Sequence, residues 1–202
     1  MPAPCGIIAL PANWLPIGSA SLAMTDAPWL DRQAYPFAAH HLTLPDGTLH
    51  YVDEGSGEVV LMVHGTPTWS FLYRHLITGL RDRYRVIAPD HLGFGLSDKP
   101  ADYSYQPADQ ARNLRAFIEA LDLKDITLVL HDFGGPFGLA YALDHPQNVR
   151  RIVLFNTWMW SLKGDFQKVI AGRFLGSPLG RWLCMRFNFE ANVIMPFAYA
   201  DR

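Results

Sequence analysis

Leu128-Val129-Leu130-His131-Asp132-Phe133-Gly134-Gly135-Pro136-Phe137-Gly138 is the stretch whose reading decides the fold. Ile126 to Leu130 is an uninterrupted apolar run of strand length, and it stops at an acid. Two glycines follow, then a helix-like segment from Leu139 to Leu143 that is expected to continue to about His145. Asp132 therefore belongs on a sharp strand-to-helix turn, with its carboxylate beyond the carboxyl end of a sheet and near the unpaired N–H groups of the next helix. A carboxylate in that place is a competent nucleophile, because attack on carbon uses its lone pair and needs no prior proton removal. A plain N-cap role for Asp132 is the competing reading. Asp132-Phe133-Gly134 also spells a kinase motif, but no glycine-rich nucleotide loop or His-Arg-Asp segment accompanies it.

Working outward, the same pattern recurs. Phe37 to Leu44 and Thr48 to Val52 read as two strands joined at Pro45-Asp46-Gly47, an antiparallel hairpin. Val59 to Val63 is a continuous apolar strand that ends at His64-Gly65-Thr66-Pro67-Thr68-Trp69-Ser70, and Phe71 to Leu80 is helix-like. Tyr84 to Ala88 is a strand followed by the glycine-bearing loop Asp90 to Pro100. A helix after Pro107 carries Ala111, Leu114, Phe117, Ile118 and Leu121 on one face. Val149 to Phe155 is the last strand before Asn156. Strands alternating with helices specify a doubly wound, mostly parallel α/β sheet, whose ligands bind outside the carboxyl ends of the strands. His64-Gly65-Thr66, Asp132 and Asn156 all fall at such ends.

The 202 residues, half of them hydrophobic, suit one main domain with one sizeable core. A net charge of −2 gives no electrostatic ground for nucleic acid or an anionic membrane as partner. No apolar run approaches the roughly 18 residues of a membrane span. Cys5 and Cys184 lie far apart with no metal-ligand company, which fits a reduced, cytoplasmic compartment, and neither a metal nor an organic cofactor is expected. Residues 1–23 lack Lys and Arg and read as an extension, with translation expected to begin at Met24. The core is then expected over 24–156 and the start of a helical lid over 157–202. Nothing in the pattern fixes an oligomeric state.

His64 to Ser70, Asp90 to Asp98 and His131 to Gly135, taken together and in this order, resemble the α/β-hydrolase fold. Within it they are most similar to haloalkane dehalogenases and their epoxide hydrolase relatives. The resemblance covers about residues 30 to 200. It implies a hydrolase of small apolar organic substrates. Asp132 would displace halide to leave an alkyl ester, and water activated by a His–acid pair would cleave that ester. It also implies an oxyanion hole from the Thr66 and Phe133 backbone N–H groups. The chain departs from the pattern at two places. Where dehalogenases usually carry a Trp after the nucleophile and Asn or Glu before the proline, it has Phe133 and Thr66. Trp182 in the lid segment is a candidate compensating halide donor, as are Trp158 and Trp160, against the competing and favoured reading that these tryptophans line an apolar lid.

In this fold the acid and histidine follow the nucleophile. After Asp132 the chain offers only His145, about 20 Å away along the helix at 1.5 Å per residue. His145 reads as a helix-end residue, His64 and His131 as structural members of their motifs, and His40, His41, His50, His75 and His91 as surface or turn residues. The expectation for these 202 residues is a chain incomplete for turnover, in which the edge from Arg151 to Phe155 is open. An epoxide hydrolase, an ester hydrolase and a non-catalytic module of the same fold are the alternatives.

Overall fold

A computed structural model describes residues 27–160, 164, 166–187 and 192 of the protein. They fall into two compact units, one reaching to Met159 and the other starting at Trp160. The expectations for residues 1–23 and Met24 concern residues outside those described.

The first unit is built on six strands: β1 (His40–Leu44), β2 (Gly47–Glu54), β3 (Val59–Val63), β4 (Arg85–Pro89), β5 (Ile126–Asp132) and β6 (Val149–Thr157). Their order in the sheet is β1-β2-β4-β3-β5-β6. The β1–β2 hairpin and the β2–β4 pair are antiparallel, and β4, β3, β5 and β6 run parallel. This is the doubly wound, mostly parallel α/β sheet with an antiparallel amino-terminal hairpin that the sequence predicts.

Period-two alternation explains why the central strands read as unbroken apolar runs. Leu61 and Val63 of β3, Ile87 of β4 and Leu128 and Leu130 of β5 belong to one core cluster. Val60 and Met62, Val86 and Ala88, and Val129 of the same strands belong to a second. The first cluster includes Leu114, Phe117 and Ile118 of helix α2 (Pro107–Ala120) and Phe137, Tyr141 and Ala142 of helix α3 (Gly134–Asp144). The second includes Ile77 of helix α1 (Arg74–Leu80). Burying Leu114, Phe117 and Ile118 contributes about 2 kcal/mol each relative to leaving them in water.

Three boundaries differ from the sequence reading. The first strand starts at His40 rather than Phe37, because Phe37 turns into the second cluster and packs edge-on against Tyr35 at 5.0 Å. The segment expected as one helix from Phe71 opens as a 3-10 turn, Ser70–Tyr73, before α1. Helix α3 starts at Gly134 itself, five residues earlier than Leu139. A Cβ at Gly134 would overlap the Val63 carbonyl and one at Gly135 the Thr157 hydroxyl, so the glycines admit the helix to the sheet. Pro136 fits in that first turn, where its missing N–H has no intrahelical partner to lose.

Strand β6 lies at the sheet edge with Ile152, Val153, Leu154 and Phe155 all exposed. In the second unit, helices α4 (Phe166–Gly176) and α5 (Pro178–Phe187) pack on each other. Among the described residues no helix is long and apolar enough to cross a membrane.

Candidate active site

Asp132 is the last residue of β5 and takes a left-handed backbone conformation, φ +50°. A non-glycine residue there costs roughly 1–3 kcal/mol, which the surroundings must offset. Part of the offset is visible: the Thr157 hydroxyl of β6 donates to the Asp132 carbonyl at 2.6 Å. The β5–β6 register shifts at this level, where Asp132 pairs with Thr157 and Asn156 is also left-handed, φ +41°. The N-cap reading of Asp132 does not hold, since Phe133 occupies the cap position of α3 and no side chain caps that helix.

The Asp132 carboxylate instead reaches the end of β3. Its Oδ1 accepts the Thr66 backbone N–H at 2.9 Å. A Cβ placed on Gly65 would overlap Asp132 Cβ and Oδ1 and would lie 2.7 Å from the Phe133 nitrogen. The carboxylate and the Phe133 backbone nitrogen therefore meet over the bare α-carbon of Gly65, and the Thr66 N–H bonds the same carboxylate. The Thr68 N–H and hydroxyl both donate to the Gly65 carbonyl, at 3.0 and 2.9 Å, and close this turn.

His64 stands behind it, wholly buried. Its Nε2 accepts the His91 backbone N–H at 2.9 Å, so its Nδ1 carries the proton and donates to the Gly65 carbonyl at 2.9 Å. His91 Nε2 donates to the His64 carbonyl at 3.2 Å. Burial, partly opposed by the Asp90 charge, pushes both imidazoles below their ordinary range, His91 well below it. Both act as neutral structural joints.

A second polar cluster joins β2, the Ser70 turn and the loop after β4. Asp90 is completely buried. Its Oδ1 accepts the Ser70 N–H at 2.8 Å, and its Oδ2 accepts His50 Nδ1–H and the Leu96 N–H, each at 2.9 Å. Burial alone would push the Asp90 carboxyl up, but the hydrogen bond and charge of His50, helped by Leu96, hold it below the usual range. Ser97 accepts the His50 N–H at 2.8 Å and donates to the Asp90 carbonyl at 2.6 Å. Gly95, φ +49°, is required here, because a Cβ would run into Asp90 Oδ2. This corrects the expectation for two histidines: His50 and His91 are 1% and 4% exposed, not surface or turn residues.

Of the residues singled out from the sequence, Asp132, Thr66 and Phe133 come together. Trp158, half-buried, packs edge-to-face on the Phe133 ring at 5.0 Å. Trp182 belongs to the second unit, where it packs edge-on against Phe187 at 5.4 Å, and Trp160 is exposed. His145 caps α3 at its far end and stacks on Tyr141 at 4.8 Å. No described histidine is hydrogen-bonded to Asp132. Sequence reading missed Thr157 and the His50–Asp90 pair. Gly135, in contact range of Thr157, was the available signal for the first, and His50 alternating with apolar residues in β2 for the second.

Comparisons with known proteins agree with the fold. A family model described as alpha/beta hydrolase fold matches residues 58–177, more than half of the chain. Haloalkane dehalogenase 2 of Mycobacterium tuberculosis (strain ATCC 25618 / H37Rv) is 42% identical over 166 residues, covering 82% of this chain and 58% of the relative. The cis-3-alkyl-4-alkyloxetan-2-one decarboxylase of Shewanella oneidensis is 43% identical over 152 residues, covering 74% and 45%. The crystal structure of haloalkane dehalogenase DatA from Agrobacterium tumefaciens C58 superposes with a TM-score of 0.73 at 32% identity, covering 79% of this chain and 56% of that one. The chain thus spans about half the length of the relatives it matches.

Proposed function

From the premise that the chain belongs to the α/β-hydrolase fold family, we propose that its site performs nucleophilic displacement on haloalkanes through Asp132. The carrying observation is the carboxylate itself, presented on a left-handed turn at the end of β5 and accepting the Thr66 N–H. An oxygen of Asp132 forms a bond to the substrate carbon as the carbon–halogen bond breaks, and the bonding pair leaves with the halide. The product is an alkyl ester of Asp132. Water attack on the ester carbonyl then returns the carboxylate, with the Thr66 and Phe133 N–H groups receiving the oxyanion.

The departing halide carries a full charge and needs a donor. The Phe133 side chain has none. Trp158, packed on Phe133, has no hydrogen-bond acceptor among the described residues, and its indole N–H is assigned to the halide. Thr157, its chain neighbour, ties this segment to Asp132.

Hydrolysis of the ester needs a base. His64 is committed through both ring nitrogens, His91 donates through Nε2 to the His64 carbonyl, and His50 is tied to Asp90. The step assigned to the described residues is ester formation at Asp132, with one halide released for each ester formed. Incubation with 1-bromohexane followed by intact mass tests it. The expected result is one added hexyl group, located at Asp132 and absent from Asp132→Asn. Wild-type protein that stays unmodified and releases no bromide, or the same adduct in Asp132→Asn, would remove Asp132 as the nucleophile.

The missing donor at Phe133 also favours a second substrate for the same carboxylate. In a four-membered oxetan-2-one ring the leaving carboxylate stays tethered to the product and needs no separate halide site. A dialkyl oxetan-2-one would add its whole mass to Asp132, which separates it from an alkyl adduct.

A further inference from the structure

We infer that the buried His50–Asp90 pair is a positioning device for the nucleophile's hydrogen-bond donor: it fixes the turn that aims the Thr66 N–H at Asp132. The inference rests on reading Asp132 as the reactive group. Its physical basis is the path of hydrogen bonds from β2 to the site.

The segment from Gly65 to Ser70 is anchored at two points. At one end Thr68 closes on the Gly65 carbonyl through two bonds. At the other, the Ser70 N–H is held by Asp90 Oδ1. Thr66 lies between them, and among the described residues its hydrogen bond is to Asp132 alone. The Ser70 hydroxyl also meets the Tyr35 hydroxyl at 2.6 Å, within the same buried cluster.

Asp90 can serve as that anchor because three donors converge on its two oxygens. An asparagine there has one oxygen and one NH2 group, so whichever way it turns, a donor faces a donor. His50 contributes one atom to this arrangement. Its Nδ1 is bonded to Asp90, while its Nε2 has no partner among the described residues. That asymmetry is informative: nothing is held by the far side of the ring. The side-chain amide of an asparagine places an N–H close to where a histidine places Nδ1–H, whereas leucine fills space and donates nothing.

The test follows the Thr66 amide by 15N–1H correlation spectra and hydrogen exchange in the 202-residue chain, together with the rate of Asp132 alkylation. In Asp90→Asn and His50→Leu the Thr66 amide resonance should shift and its exchange protection should fall about tenfold, the scale of one lost hydrogen bond. Alkylation should slow by up to about 100-fold, the scale of an ångström's misplacement. His50→Asn should lose stability from its smaller volume yet keep the Thr66 resonance and the wild-type rate. Asn113→Leu, which breaks a partly buried bond to Tyr103 elsewhere, should lower stability without moving Thr66. A Thr66 amide unchanged in Asp90→Asn and His50→Leu, or His50→Asn behaving as His50→Leu, would overturn the inference. If Thr66 moves as expected but the wild-type protein never alkylates, the positioning role stands and the nucleophile reading fails.

Discussion

The two imidazoles at the heart of the site, His64 and His91, predict how the protein responds to acid. Both are wholly or almost wholly buried, their ring bonds are those of neutral rings, and burial keeps each below its ordinary value of 6.5. In the unfolded chain each binds a proton once the pH falls below that value, while the native state does not. The unfolded state then holds more protons, so stability is full above 6.5 and falls as the pH drops below it. For rings that stay neutral throughout, the loss between pH 7 and 5.5 reaches at most about 1.2 kcal/mol per histidine and about 2.5 kcal/mol for the pair. His41, less buried and also held down by desolvation, acts in the same direction. Asp90, held below the usual carboxylate range, loses its contribution only at much lower pH and leaves this window unaffected. Urea unfolding followed by tryptophan fluorescence, extrapolated at each pH, measures the loss. His91→Phe keeps an aromatic ring against Phe137 and removes one proton site, so its loss over the same interval should be smaller, by up to about 1.2 kcal/mol. A wild-type loss below about 0.5 kcal/mol, the usual additivity error, or an identical loss in the variant would refute the reasoning.

Two further outcomes bear on the elbow itself. Gly65→Ala puts a methyl group into Asp132 and beside the Phe133 nitrogen, so the variant should lose about 1–3 kcal/mol in urea unfolding and form the alkyl adduct about 100-fold more slowly by intact mass. Thr157→Val keeps the side-chain shape but leaves the Asp132 carbonyl without its donor; it should cost about 1 kcal/mol and slow alkylation, with the adduct still at Asp132.

Much of this architecture is legible in the residues because the physics that sets it is local. Val59–Val63 and Ile126–Leu130 are apolar at every position since both faces of their strands are covered, and Pro107 with Leu114, Phe117 and Ile118 marks a helix with one buried side. The Asp132 turn shows itself through the acid and the glycines that follow. What sequence does not show is which polar groups meet across the fold. His50 and Asp90 are forty residues apart, and an alternating strand such as β2 looks alike whether its histidine faces water or a carboxylate. Glycine lowers helix propensity, so Gly134 and Gly135 do not announce the start of helix α3, yet here tight approach to Val63 and Thr157 outweighs that cost. The start at Phe37 failed for a related reason, since an aromatic residue fits a strand and a core corner equally well.

Asp132 is gripped by main-chain atoms: the Thr66 amide holds its carboxylate, and the Phe133 amide lies beside it. Amino-acid replacement does not delete a backbone N–H unless proline is introduced. The side chains at these two positions are therefore available to mutation in a way that Gly65 and Asp132 are not. The cradle around the carboxylate is thus built with threonine and phenylalanine at positions 66 and 133 without drawing on either side chain. It also makes positions 66 and 133 the natural places to diversify when a new leaving group is wanted, because a library there explores chemistry while the grip on the carboxylate is inherited unchanged.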